Sequence, residues 1–170
     1  LALDETRGMH GLVWRIEQTQ CSHPISHYRL ELRPALAWLE QRRNCRIFEQ
    51  LSVPQILQKL LAEHGILGDT CRFVLSGDYP PRDYCVQYAE SDLHFLQRLC
   101  EEEGLHYHFL HAPEQGHVLV FGDDQSAFPR LAAEQLYRPD SGQPQEMPVI
   151  SHFAESLRSC SDTMTLHDHD

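Results

Sequence analysis

Residues 99–111 read LCEEEGLHYHFLH, and a further histidine follows at His117. Carboxylates beside imidazoles are the groups that bind zinc or move protons, so chemistry, if the chain has any, belongs here. His106 and His108, two apart on a strand, point to one face, a spacing from which two rings can chelate a metal. His111 points to the other face, and His117 would have to reach across a hairpin. A structural zinc site takes four ligands, and the chain has neither a CxxC pair nor an HExxH helix to supply the rest. The competing description is a helix that ends on glutamates and a glycine, followed by a strand whose histidines face solvent. That description is preferred, so no metal ligand and no cofactor is expected. The closing run Leu166, His167, Asp168, His169, Asp170 alternates His with Asp, as an opportunistic transition-metal binder would, but an exposed, alternating strand is the preferred expectation there.

Other chemistries leave no usable signature. GxSxG, SxxK and the local cysteine signatures of nucleophilic enzymes are absent from any workable context, and no glycine-rich loop could cradle a phosphate. Glu101, Glu102 and Glu103 are consecutive on a helix, so their side chains diverge by about 100° and cannot act as a facing pair. No enzyme is expected. The enzymatic alternative is a metal-dependent hydrolase built on His106, His108 and nearby carboxylates.

The whole chain narrows the choice further. Fourteen Lys+Arg against 25 Asp+Glu leave a formal charge of −11 over 170 residues. That balance repels phosphate backbones, and the densest basic stretch, Arg42, Arg43 and Arg46, is too short to offset it, so nucleic-acid binding is not expected. No apolar run is long enough to span a bilayer. The opening LALDETRG has neither a basic nor an apolar leader region, so no signal peptide is expected, and the missing starting Met points to a fragment. The cysteines at 21, 45, 71, 85, 100 and 160 are irregularly spaced, and they are read as small apolar fillers of a reduced chain.

Around the acid and histidine cluster the elements are legible. Segments 11–18 and 27–33 alternate, with Leu12, Trp14 and Ile16 on one face and Tyr28, Leu30 and Leu32 on another, as half-buried antiparallel strands do. Residues 52–65 predict a helix. Ser52 and Gln55 make a capping box, Val53, Ile56, Leu57, Leu60 and Leu61 make one apolar stripe, and Gly65 stops it. A short strand around Tyr84–Tyr88 leads to a second helix capped by Ser91, with Asp92 in its first turn and Leu93, Leu96, Leu99 and Cys100 buried. It closes on three glutamates, the wrong charge for a helix C-terminus, which calls for a cationic partner elsewhere. Residues 105–111 and 117–123 pair as a hairpin, 127–148 reads as a linker, and VISHFAESL (149–157) and TMTLHDHD (163–170) read as strands. The class is α+β.

The order of these pieces carries a resemblance. SVPQILQKLLAEHGI, then RDYCVQYAESDLHFLQRLCEEEGLHYHF, then a hairpin ending VLVFGDD, resembles the VgrG family of type VI secretion spike proteins, and through it the phage late control gene D and baseplate hub proteins. RGMHGLVWRIEQ, YRLELRPALAWLEQRRNCRIF and TLHDHD fit the same hub region. The resemblance implies a phage tail hub-like fold with antiparallel β-barrel-like subdomains and two packed amphipathic helices. It divides the chain at 1–50 (the rest of a first barrel-like subdomain), 51–130 (helix, strand, helix, hairpin) and 131–170 (a linker and the start of a second barrel). It makes Tyr84, Tyr88, Asp92, Phe95, Arg98, Leu99, Glu102, Gly104, Tyr107 and Phe109 structural positions, with Tyr107 and Phe109 feeding the core. It also implies a homotrimer in the full-length protein, seated on an Hcp tube, with a PAAR-type tip and effectors engaged through other regions. Such a protein would be made in the bacterial cytoplasm and expelled through the secretion apparatus. A prophage tail hub is the alternative within the same resemblance. The isolated segment is expected to be a monomer or to form non-native pairs.

Overall fold

The alternating residues of the first segment form two paired strands in the computed structural model, which describes residues 8–21, 25–112, 116–130, 136–138, 149–159 and 165. β1 (Leu12–Cys21) runs antiparallel to β2 (Ser26–Arg33), with a register shift between Val13 and Arg15. Trp14 is the extra residue of a β-bulge, and one extra residue reverses the face on which later side chains fall. Val13 and Ile16 therefore stand opposite Leu32 and Leu30, and the expected face of Leu12, Trp14 and Ile16 does not form. Nor is the apolar face half-buried: Val13, Ile16, Tyr28, Leu30 and Leu32 are 53–64% exposed. Trp14 instead packs beneath the Arg33 guanidinium, 4.8 Å away, and beside the Trp38 ring at 5.3 Å.

Pro34 then opens a 3-10 helix, Ala35–Gln41, that the sequence pattern did not announce. At three residues per turn, Leu36 and Leu39 fall on one line, and both are buried. β3 (Arg43–Leu51) follows and pairs antiparallel with β5 (Arg82–Ser91), the strand expected around Tyr84. This pair also carries a bulge, at which Ala89 takes a positive φ of 47° and donates its N–H to Cys45 Sγ.

The first helix, α1 (Val53–Glu63), matches its sequence signals. All five stripe residues are at most 1% exposed, and Gln55 Oε1 accepts from the Ser52 N–H at 2.9 Å. Gly65, at φ 75°, ends it: the Ile66 N–H returns to Leu61 O and the Gly65 N–H to Ala62 O, a paired termination that needs a left-handed residue. The short β4 (Cys71–Val74) comes next. The second helix, α2 (Asp92–Glu103), has Ser91 accepting from the His94 N–H and ends at Gly104, φ 67°, with the Leu105 N–H on Cys100 O. Its buried stripe is Phe95, Leu96, Leu99 and Cys100, and Leu93 is only partly covered.

β6 (His106–Ala112) and β7 (Gly116–Gly122) form the expected hairpin, and β4 joins β7 on its other edge in parallel. The two helices, the 3-10 helix and these sheets share one core. Phe48 stacks on Phe95 at 5.6 Å and Phe73 on Phe121 at 4.8 Å, with Leu57, Leu60 and Leu99 between the layers. The α+β class stands.

This core belongs to the first of two compact units, Leu1–Pro129 and Arg130–Asp170. In the second unit VISHFAESL is not a strand. Ile150 makes an isolated parallel bridge with Tyr137, and 151–159 have no ladder, because alternation without a neighbouring strand leaves backbone groups nothing to pair with. Most of the 127–148 linker and nearly all of TMTLHDHD lie outside the described residues.

Candidate functional site

Two arginines of the short basic stretch, Arg42 and Arg46, converge with Asn44 on one carboxylate. Arg42, just before β3, alternates with Asn44 and Arg46 at its start, so the three reach the same side, where α2 begins. Asp92, at the first position of α2, is fully buried there. Its carboxylate accepts from Arg42 Nε at 2.5 Å, Asn44 Nδ2 at 3.0 Å, Gln87 Nε2 at 2.8 Å and Arg46 Nη2 at 3.4 Å, and it faces His64 Nε2 at 2.9 Å. Glu63, at the end of α1, holds the same two arginines from outside: Arg46 Nη1 lies 2.8 Å and 3.0 Å from its two oxygens, and Arg42 pairs with it as well. Burial pushes the Asp92 carboxyl up, but hydrogen bonds to His64, Gln87, Asn44 and Arg42 outweigh it and hold the group at about 2.

This arrangement is a lock between α1, α2, β3 and β5. A carboxylate that is ionised throughout the neutral range and whose acceptor positions are filled does not exchange protons there, which is what acid–base catalysis requires. The expectation of Asp92 as a mere helix-dipole partner missed this network. Its signal was present in the alternation of Arg42, Asn44 and Arg46, three polar residues on the side of the strand that carries the buried Phe48.

Two of the three glutamates at the end of α2, Glu102 and Glu103, find the cation their position called for. Arg82 on β5 binds Glu102 at 2.7 Å and Glu103 at 2.5 Å, and Arg98 bridges Glu102 and Glu90, both at 2.8 Å. Arg98 also lies 5.2 Å over the Phe95 ring and donates to the Val86 carbonyl. Of the remaining motif positions, Leu99 is buried and Gly104 supplies the left-handed turn. Tyr107 and Phe109 pack against the core, and the Tyr107 hydroxyl accepts from Gln97 Nε2. Tyr84 and Tyr88 stand out from β5, 70% and 78% exposed. The motif thus assembles a helix end and its flanking strands, while its two β5 tyrosines, Tyr84 and Tyr88, are exposed along with Ile47 and Val86.

The histidines separate into two groups. His106 and His108 are not on a solvent face as expected: both are half-buried under Phe128, with ring centroids 4.5 Å and 4.8 Å from it. The 3-10 turn Gln125–Ala127 folds that phenylalanine back over the strand. His106 Nε2 and both ring nitrogens of His108 are buried without a hydrogen-bond partner, and burial followed by the neighbouring His106 pushes the His108 ring below its ordinary value. His111 and His117 lie directly opposite each other across the hairpin, with His10 stacked on His111. Among the described residues no group of three or more His, Cys, Asp or Glu has the geometry to hold a metal ion. Nor do the cysteines all act as fillers: Cys85 and Cys100 are buried, but Cys45 is exposed.

Comparison with known proteins gives the same picture from a different direction. The model of the phage tail baseplate hub (GPD) family matches residues 1–170. The type VI secretion system spike protein VgrG4b of Pseudomonas aeruginosa is 52% identical over 164 residues, which cover 96% of this chain and 20% of that protein. The actin cross-linking toxin VgrG1 of Vibrio cholerae is 40% identical over 142 residues, 84% of this chain and 13% of that one. Among solved structures, the E. coli c3393 protein aligns with a TM-score of 0.71 and 32% identity over 79% of this chain and 37% of that one. It is described as a component of the type VI secretion system with structural similarity to the T4 bacteriophage tail proteins gp27 and gp5. The chain spans about a fifth of the length of the curated relatives named first.

Proposed function

Since this chain belongs to the phage tail baseplate hub family, we propose that it forms part of the hub of a type VI secretion spike and works there as a structural element. The observation that carries this reading is the 52% identity to a named spike protein over 96% of the chain. The site supports it: Asp92 and the Arg82–Glu102–Arg98–Glu90 ladder tie elements together and leave no group poised to react. In the full-length protein the hub is a homotrimer that sits on the Hcp tube. It is made in the bacterial cytoplasm and driven outward with its tip and effectors when the machine contracts. Residues 1–50 contribute to a first barrel-like subdomain, 51–130 to the helical packing unit, and 131–170 lead into a second barrel. The motif from Tyr84 to Phe109 ties β5, α2 and β6 together within the first unit. Any toxin activity of the whole protein resides in other segments.

The test uses the full-length protein in a strain with no other spike gene. Deleting residues 92–103 is expected to abolish Hcp release into the medium, and the wild-type chain is expected to restore it. Hcp release that persists without the hub segment would remove the proposal, and so would purified full-length protein that hydrolyses a substrate with bound zinc lost in a His106→Ala, His108→Ala variant.

A further inference from the structure

At the end of the β6–β7 pair where the two strands connect, two imidazoles act as hydrogen-bond acceptors for backbone far away in the chain. The His10 N–H donates to His111 Nδ1 at 3.1 Å, and the Ala35 N–H donates to His117 Nε2 at 3.1 Å. The partners are 101 and 82 residues apart in sequence. His10 leads into β1, and Ala35 begins the 3-10 helix that leaves β2. Leu12 pairs with Arg33, so the two bonds clasp both strands of the exposed β1–β2 arm at its base onto β6 and β7.

A ring nitrogen that accepts from an N–H carries no proton itself. In the clasped form His111 therefore holds its proton on Nε2 and His117 on Nδ1. Both nitrogens of a protonated imidazole are donors, so protonation of either ring turns its acceptor into a donor aimed at an amide N–H. The bond is lost and replaced by repulsion. We propose that His111 and His117 form an acid-released clasp, which holds the β1–β2 arm at neutral pH and frees it when the rings are protonated.

The surroundings favour one-way operation. His111 and His117 rings are 6.4 Å apart, and His10 stacks on His111 at 6.3 Å, so charge on one opposes charge on the next. Burial, then His111 and His10, push the His117 ring below the ordinary histidine value. From α1 the facing group is His64, which lines the same cavity of about 270 Å³ as His117 and is itself engaged with Asp92. From β6 it is Phe109, whose ring meets His117 edge-on at 5.7 Å. The two histidine–carboxylate pairs among the described residues involve His64 and His94, neither of them in the clasp. Glu114, between β6 and β7 in sequence, lies outside the described residues. With like charges as neighbours, protonating the clasp is opposed until the arm moves away. An ordinary imidazole titrates at about 6.5, so release belongs to mildly acidic solution.

Hydrogen exchange read by mass spectrometry on the full-length chain tests this, after correction for the intrinsic pH dependence of exchange. Peptides spanning residues 8–14 and 33–39 are expected to lose protection about tenfold between pH 7.5 and 5.0, while a peptide from α1 keeps its own. A His111→Gln, His117→Gln variant offers an amide oxygen that accepts but does not titrate, and it is expected to hold protection at both pH values. Unchanged protection of residues 33–39 at pH 5.0 overturns the clasp, as does an equal loss in the glutamine variant. If that variant does not fold, the midpoint of the wild-type titration decides. A midpoint at or below about 6.5 but above 5 supports the histidines, and one near 4 assigns the change to carboxylates and overturns the proposal.

Discussion

Asp92 shows how a single side chain can bind four elements. Removing its carboxylate leaves Arg42 with Glu63, and Arg46 with Glu63 and Gln87, and takes from Asn44 and His64 the acceptor that they face. Breaking a buried ion pair from one side costs about 3–5 kcal/mol, and because the two arginines are partly exposed Asp92→Ala is expected at the lower end, near 3 kcal/mol in a denaturant melt. Asp92→Asn, which keeps shape and some hydrogen bonds, is expected to cost less. The pH dependence follows from the direction of the shift. A carboxyl held at about 2 in the folded state against an ordinary 3.8 contributes stability that is fully present above 3.8 and lost as pH falls through 2. The difference between wild type and Asp92→Asn should therefore hold from pH 7 to about 4 and shrink below it; a difference that grows in acid would contradict the assignment. The half-buried histidines behave oppositely. His106 and His108 have ring nitrogens with nothing to bond, so replacing both by Phe is expected to leave stability unchanged or raise it by about 1 kcal/mol. A fall of more than that, accompanied by loss of bound zinc, would restore the metal reading.

Among the elements, α1 is the most determined by local signals. Leu57→Ala and Leu60→Ala are each expected to cost about 2–5 kcal/mol through lost transfer energy and a residual cavity. Thermal melts with both below about 0.5 kcal/mol would mean that this face is not core. α1 was legible because cap, stripe and stop agree within fourteen residues, so no distant contact had to be known. The 3-10 helix 35–41 was not, because seven residues at a period of three give too short a pattern, and exposed Trp38 blurs it. β1 was recognised as a strand, but its face was not. The bulge at Trp14 is settled by packing against Arg33 and Trp38, which sequence spacing cannot reveal. The Asp92 lock was hidden for a similar reason: its members at 42, 44, 46, 64, 87 and 92 meet only once β3, β5 and both helices are placed. VISHFAESL misled in the other direction, since alternation describes one strand and a sheet needs two.

At the scale of the molecule the outward faces matter most. The β1–β2 arm exposes Val13, Ile16, Tyr28, Leu30 and Leu32, and β3–β5 exposes Ile47, Tyr84, Val86 and Tyr88. Apolar faces and open strand edges of this kind are templates for association. The formal charge of −11 opposes it, though salt screens that repulsion beyond about 8 Å at physiological ionic strength. The 170-residue segment alone is therefore expected to sediment as a monomer or as pairs that grow with added salt, and the full-length protein as a trimer. A salt-independent trimer from the segment would show that it carries its own threefold interface.

The parallel pairing of β4 with β7 has a mechanical consequence. Tension that enters at Cys71 and leaves at Gly122 pulls on opposite ends of two strands running the same way. It therefore loads all four register positions from Cys71–Leu119 to Val74–Gly122 together, in shear. An antiparallel pair pulled from one end would instead open bond by bond. Everything between those strands, β5, α2 and β6 with the ion pairs they hold, lies inside the loop this clamp closes. A force travelling along the backbone must break the clamp before it can stretch the enclosed segment, so the short β4 acts as a shear pin for everything the loop contains.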